Sequence, residues 1–391
     1  MRKLLLCLFT FSVVNSWAQL TITNGSHVLE IGGMVSVFYN QRFLKPGETD
    51  MSKNRFGLRD AQLVIDGRFK NLVEYKIQCD FADLVANISG GQIDPENPGL
   101  MDAYATFKGV PFLNISAGYA KVPYGRSTQV PFAVSPFWQR AEIVRGDLFS
   151  RRDVGAWLTS TFWKQRINVQ FGVYTGLGEL SLRGENDPSG APEYIGRVEV
   201  AYPSRYRLLD IDERVTPIPM FMIGLSGRYY NKSLPAGTFL PAYAAGPYDV
   251  KVIDGQRLAY GLDVSAQYMG FSAQFEIHQM RMTPNNPNSA LFQGVAPSDH
   301  RGYVLCGGYY VQASYYSKFL RSTFSVRFDE LNLSDLAPGV SRRLSVGYAY
   351  KVKGTGLMFK GQYFKVLQEE AIIDPYKWTD QFRIGLQYQF Q

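Results

Sequence analysis

The feature that most constrains this chain is a strict period of two in apolar character. In the closing stretch FRIGLQYQFQ, Phe382, Ile384, Leu386, Tyr388 and Phe390 share one parity. Gln381, Arg383, Gln387 and Gln389 share the other, with Gly385 among them. Successive side chains of a β-strand point to opposite faces, so the segment has one apolar and one polar face. The pattern recurs. VEYKIQCDF sets Val73, Tyr75, Ile77, Cys79 and Phe81 against Glu74, Lys76, Gln78 and Asp80. LAYGLDVSAQY, RLSVGYAYK and INVQFGVY alternate in the same way.

The count gives about sixteen such segments, of the length a membrane-crossing strand needs. They lie near 29–39, 55–66, 72–81, 101–108, 112–120, 153–162, 167–175, 193–202, 219–230, 256–268, 271–281, 302–316, 319–328, 342–351, 356–365 and 380–391. Short connections such as Gly109–Pro111 and Met269–Gly270 alternate with long ones such as RGENDPSGAPE and SLPAGTFLPAYAAGPYD. Outer-membrane barrels have this rhythm, with tight turns on the periplasmic side and long loops outside. The connection 203–218 breaks it, being longer than a periplasmic turn should be. No segment sustains helical periodicity, which argues against a βαβ enzyme fold.

The remaining question is which face is inside. A soluble sandwich would bury the apolar parity. Here aromatic residues crowd the apolar parity near strand ends: Tyr39, Phe81, Tyr119, Tyr202, Tyr229, Tyr268, Tyr315, Tyr350 and Phe390. Rings at a lipid–water boundary explain that placement. In lipid every backbone polar group must pair within the protein, so the sheet has to close. The expected fold is therefore an all-β, closed antiparallel transmembrane β-barrel over 29–391, with its polar parity lining a hydrated lumen. Arg2 and Lys3, then the short apolar run Leu4–Val14 and small Ser16 and Ala18, predict a cleaved export leader over 1–18. A short periplasmic segment, 19–28, would follow. Cys79 and Cys306, expected to face lipid and lumen respectively, predict no bridge between them.

Several stretches resemble the phosphate-selective porin O/P family. They are FGLRDAQLVIDGRFKNLVEYKIQCDFAD, DAYATF followed by LNISAGYAKVPYG, and RRDVGAWLTSTF. The resemblance is clearest over 55–176. Its sharpest motif is a strand ending Gly118, Lys121, Pro123, Tyr124, Gly125, where the family more often has Phe in place of Tyr124. The resemblance implies a homotrimer of sixteen-stranded channels. It also implies that the third long loop, 121–152 here, folds into the lumen as a constriction whose basic residues favour anions.

That loop carries Lys121, Arg126, Arg140, Arg145, Arg151 and Arg152, opposed only by Glu142 and Asp147. Cationic rings in a narrow aqueous passage suit anion and phosphate pores. Phe132, Phe137 and Trp138 are expected to pack the loop against the wall. Parity also points Arg68, Lys76, Lys108, Arg197, Arg228, Arg257, Arg321, Arg327, Arg343, Lys351, Lys360 and Arg383 inward. Asp60, Asp66, Glu74, Asp80, Asp102, Glu199, Asp263, Glu276 and Asp329 share that face and can pair with them. This mixed wall keeps open a general diffusion porin of little selectivity, or a barrel whose outer loops bind a ligand or surface partner.

The favoured expectation is an outer-membrane porin passing small anions, with phosphate a candidate, in contact with lipid and lipopolysaccharide. His27, His278 and His300 have no metal spacing, and no nucleophile–base pair stands out. No enzyme activity, cofactor or metal is expected. Basic and acidic residues alternate without forming a patch, so no nucleic-acid partner is expected.

Overall fold

The computed structural model describes residues 20–43, 54–82, 99–144, 148–178, 189–206, 208–235, 252–336, 340–368 and 379–390. Seventeen strands appear among them. They are β1 (Leu20–Asn24), β2 (His27–Phe43), β3 (Asn54–Phe69), β4 (Val73–Asp80), β5 (Leu100–Val110), β6 (Leu113–Lys121), β7 (Arg152–Phe162), β8 (Ile167–Tyr174) and β9 (Glu193–Tyr202). There follow β10 (Met220–Lys232), β11 (Gly255–Tyr268), β12 (Phe271–Pro284), β13 (Val304–Ser317), β14 (Ser322–Asn332), β15 (Val340–Lys351), β16 (Leu357–Gln368) and β17 (Asp380–Phe390). From β2 to β17 each strand pairs antiparallel with the next. Pairing of β17 with β2, from Asp380↔Phe43 to Phe390↔Gly33, closes a sixteen-strand barrel. Each of the sixteen expected segments corresponds to one of these strands.

The closing strand shows which way the wall faces. Phe382, Ile384, Leu386 and Tyr388 are 38–52% exposed, whereas Gln381, Arg383 and Gln387 are 1–7% exposed. The same inversion runs along β11, where Leu258, Tyr260, Leu262 and Val264 are exposed and Arg257, Asp263 and Ser265 are buried. An apolar exterior around a polar interior is the arrangement a bilayer demands. Most of the expected rim aromatics, including Tyr202, Tyr268 and Tyr315, are exposed; Tyr119 is buried instead.

Two departures from the expected segments have local causes. The N-terminal segment is not a simple tail: β1 folds back on β2 through Gly25–Ser26, from Asn24↔His27 to Leu20↔Ile31. Since β3 occupies the other edge of β2, β1 lies on the edge that β17 uses, end to end with Phe390. It thereby covers backbone groups of β2 that β17 is too short to reach. Arg321 was expected on the lumen wall, but β14 begins only at Ser322. Arg321 instead completes the tight turn from β13, with φ at 52° and its carbonyl accepting from Lys351 N at 3.0 Å.

A bulge in β3 also matters for the lumen. Ser36 opposes Asp60 while Val37 opposes Leu58, so Arg59 is the extra residue. The apolar parity switches here, from Phe56 and Leu58 to Leu63 and Ile65, and Arg59 turns inward with Asp60. Cys79 and Cys306 are both free thiols.

Candidate functional site: the lumen

Two segments enter the barrel, one from each end. The first is the connection after β6. Gly125, with φ at 70°, adopts a backbone that favours glycine and turns the chain inward immediately after Tyr124. A single helical turn, α1 (Arg126–Gln129), follows. The entrance is fixed at Glu276, whose carboxylate accepts from Ser127 N at 2.9 Å and the Tyr310 hydroxyl at 3.1 Å. His278 lies beside Glu276 at 2.7 Å and packs on Tyr124. Burial raises the pKa of the Tyr124 hydroxyl, which stays neutral. Further along, Trp138 N donates to Gln362 Oε1 at 2.6 Å and its indole to the Lys360 carbonyl. Gln387 donates to the Ala133 carbonyl.

Phe137 and Trp138 are fully buried against the wall, as expected of them. Gly347 makes room: a Cβ there would lie 2.9 Å from the Phe137 ring. Phe132 instead lines the cavity, with the Arg59 guanidinium stacked 4.1 Å from its centre.

The second segment is the overlong connection between β9 and β10, residues 203–219, here called the strap. It begins at the end of the barrel that carries the short turns. Arg166 in the β7–β8 turn donates to the Pro203 carbonyl, and Met269 N in the β11–β12 turn donates to Thr216 O. Asp212 fixes its middle by accepting from Thr216 N, Thr216 Oγ1 and Gly270 N. Glu213 then reaches Lys351 at the end of β15, 2.8 Å away. Tyr206 bonds to Ser265, and burial raises the pKa of its hydroxyl.

The two segments meet at Arg126. Its guanidinium donates to the Leu209 carbonyl at 2.6 Å and to Asp210 Oδ1 at 3.4 Å. Burial works against the charge, yet the Asp210 carboxylate and neighbouring hydroxyls raise its pKa above the ordinary guanidinium value. Arg126 thus joins loop to strap.

The other expected basic residues divide into two groups. Arg197, Arg228, Arg257, Arg327 and Arg343 do point inward, but each is at most 3% exposed. Arg197 pairs with Asp263 and Glu199. Arg228 and Arg257 share Glu193, all at 2.8 Å. Arg327 pairs with Asp329 at 3.0 Å and donates to the carbonyls of Gln139 and Arg140. Arg343 contacts Glu142 and lies 3.9 Å from Asp329. Of these ion pairs Arg343–Glu142 joins wall to loop, whereas the others link β9 to β10 and β11, join β14 to β15 or lie within a strand; Arg228 and Arg327 reach the loop through the carbonyls of Ser150, Gln139 and Arg140. Arg151 is also buried, and its carbonyl accepts from Val122 N at the loop's root. Lys360 and Arg383 pack under Trp138 and Phe38 respectively. Lys108 pairs with Glu74, and Arg68 is exposed near the short-turn end. Arg145 lies outside the described residues.

The second group borders the remaining space, a cavity of about 680 Å³ between β2–β7, the loop and the strap. Lys76, Lys121, Arg140, Arg152, Arg214 and Lys351 line it, against Glu30, Asp66, Asp102 and Glu213. Arg152 is paired with Asp102 at 3.0 Å. Lys121 donates to the carbonyls of Gln129 and Val130, and Arg140 to those of Ser127 and Val130. A smaller space of about 210 Å³ shares Glu30, Asp66 and Lys76 and continues along β2–β5 toward Arg68 and Glu74. Sequence reasoning missed Arg59 and the whole contribution of the strap. The parity switch in β3 and the length of 203–218 were the available signals.

Comparison with known proteins agrees with this architecture. Residues 30–201 match the family model for phosphate-selective porin O and P. The fold is similar to the anion-selective porin from Comamonas acidovorans, at 12% identity and TM-score 0.55 over 93% of this chain and all of that one. It is similar to Salmonella typhi OmpF, solved in complex with daunomycin, at 12% identity and TM-score 0.59 over 95% of this chain and all of that one. Vibrio cholerae OmpT matches at 10% identity and TM-score 0.55, over 95% of this chain and all of that one. No curated protein matches by sequence. The chain thus folds as a sixteen-strand barrel similar to that of solved porins, and its residues 30–201 match the model of the phosphate-selective porin O and P family.

Proposed function

We propose that this porin passes small anions by passive diffusion, phosphate among the candidates. The observation that supports the reading is the charge around the cavity, six basic side chains against four acidic ones. Low-dielectric walls focus that excess and raise the local concentration of negative solutes. Lys76, Lys121, Arg140 and Arg152 are the expected basic residues that border this path; Arg126, Arg151 and the arginines of β9–β15 brace it. Because so many charges cancel inside the wall, the preference is modest. A general diffusion porin with little selectivity is the second reading, and the same internal pairing favours it. The basic start and small-residue end of 1–18 support export through a cleaved leader. The family resemblance supports a homotrimer in an outer membrane, among lipid and lipopolysaccharide.

The test is the reversal potential of single channels in a planar bilayer under a salt gradient. The expected result is a potential displaced toward that of chloride, moving toward zero in the double variant Lys76→Gln, Lys121→Gln. A cation-selective pore, or a ratio indifferent to both substitutions, refutes the reading.

A further inference from the structure

The cavity that holds these basic residues also has an apolar lining, for which a simple ion path has no use. Met34, Val64 and Met101 occupy lumen positions of β2, β3 and β5. Nearby lumen positions carry Ser36, Gln62, Gln78 and Asp102, as a hydrated wall should. Phe132 and Val134 from the loop and Ile211 from the strap line the same space. Three independent parts of the chain therefore bring apolar side chains to one cavity. Its volume of about 680 Å³ falls in the range of roughly 300–1,000 Å³ typical of small-molecule sites.

The charge pattern suits bare phosphate poorly. A phosphate dianion losing its hydration needs several convergent donors. Here Lys121 and Arg140 already donate to loop carbonyls, and Arg152 to Asp102. Glu30, Asp66 and Asp102 border the same space and would repel a second negative charge more than a first. A singly charged group needs less compensation, and an attached hydrocarbon would displace water from the apolar side chains.

We infer that the preferred solute is a monoanionic organic acid with an apolar body, its carboxylate near Lys121 and Arg140 and its hydrocarbon against Met34, Val64 and Ile211. The inference rests on the anion-channel reading and narrows it to a solute class.

The test uses the full-length porin in planar bilayers carrying chloride current, with benzoate, acetate and inorganic phosphate added in turn. Benzoate is expected to block at a concentration at least tenfold below either of the others. Ile211→Asn and, separately, Val64→Asn are expected to raise the blocking concentration of benzoate at least fivefold while the block by acetate moves less than twofold and the pore stays anion-selective. Migration as a folded barrel in unheated gels reports that each variant has folded. Phosphate blocking as well as benzoate, or benzoate block indifferent to both variants, overturns the inference while leaving the anion channel standing. A cation-selective pore removes the channel reading first, and the inference with it.

Discussion

Replacing Arg343 with methionine should free the inward loop without unfolding the barrel. Arg343, Glu142 and Asp329 are all fully buried. Arg343→Met takes away the guanidinium that contacts the buried Glu142 carboxylate, while Asp329 keeps its pair with Arg327. Breaking one partner from a buried ion pair costs about 3–5 kcal/mol. The barrel keeps its backbone ladder, so most of that cost falls on the docked loop. At about 1.4 kcal/mol per factor of ten, the docked-to-undocked ratio falls by roughly two to three and a half orders of magnitude. The remaining fastenings, at Trp138, Gln387 and Arg327, limit but do not restore it. Single-channel recording should show larger mean conductance and bursts of open-state noise, while the protein still migrates as a folded barrel in unheated gels. A folded variant with conductance and noise like the parent would refute the claim that this ion-pair group holds the loop.

Other perturbations should behave as follows. Asp212→Ala removes the acceptor for two donors in the strap and one in the β11–β12 turn, at about 1 kcal/mol each, and should expose Arg214 to trypsin in the detergent-solubilised protein. Glu213→Lys replaces attraction to Lys351 with repulsion across the short-turn mouth, and should increase gating noise more at low than at high salt. Leu262→Arg, midway along the exposed row of β11, should destabilise the barrel in lipid by about 2–4 kcal/mol in urea titrations. Gly347→Leu should displace Phe137 and give the same noisy channel as loss of Arg343.

The barrel was legible because its signal is local and repeated. A parity of two needs only a strand's own residues, and sixteen repetitions outweigh the weakness of each. The lumen was less legible because its contacts join residues far apart in sequence. Arg343 and Glu142 are neighbours only after the barrel closes and the loop turns in. Parity put Arg197, Arg228, Arg257, Arg327 and Arg343 on the polar face, but could not say that Asp263, Glu193, Asp329 and Glu142 would meet them. Arg126 looked like one more pore cation and instead joins two segments through Leu209 and Asp210. The strap announced itself only as excess length, since Asp212 and Thr216 give no alternation to read.

The most direct check is on the direction of the alternating faces. Spin labels placed singly along β17, at 381 to 388, in a Cys79→Ser, Cys306→Ser background would report oxygen accessibility in a reconstituted bilayer. Labels at 382, 384, 386 and 388 should be accessible to oxygen dissolved in lipid, and those at 381, 383 and 387 protected, giving a period of two. If the first set is shielded from lipid and the second set is the one that meets it, the barrel is not inverted and the channel account is wrong.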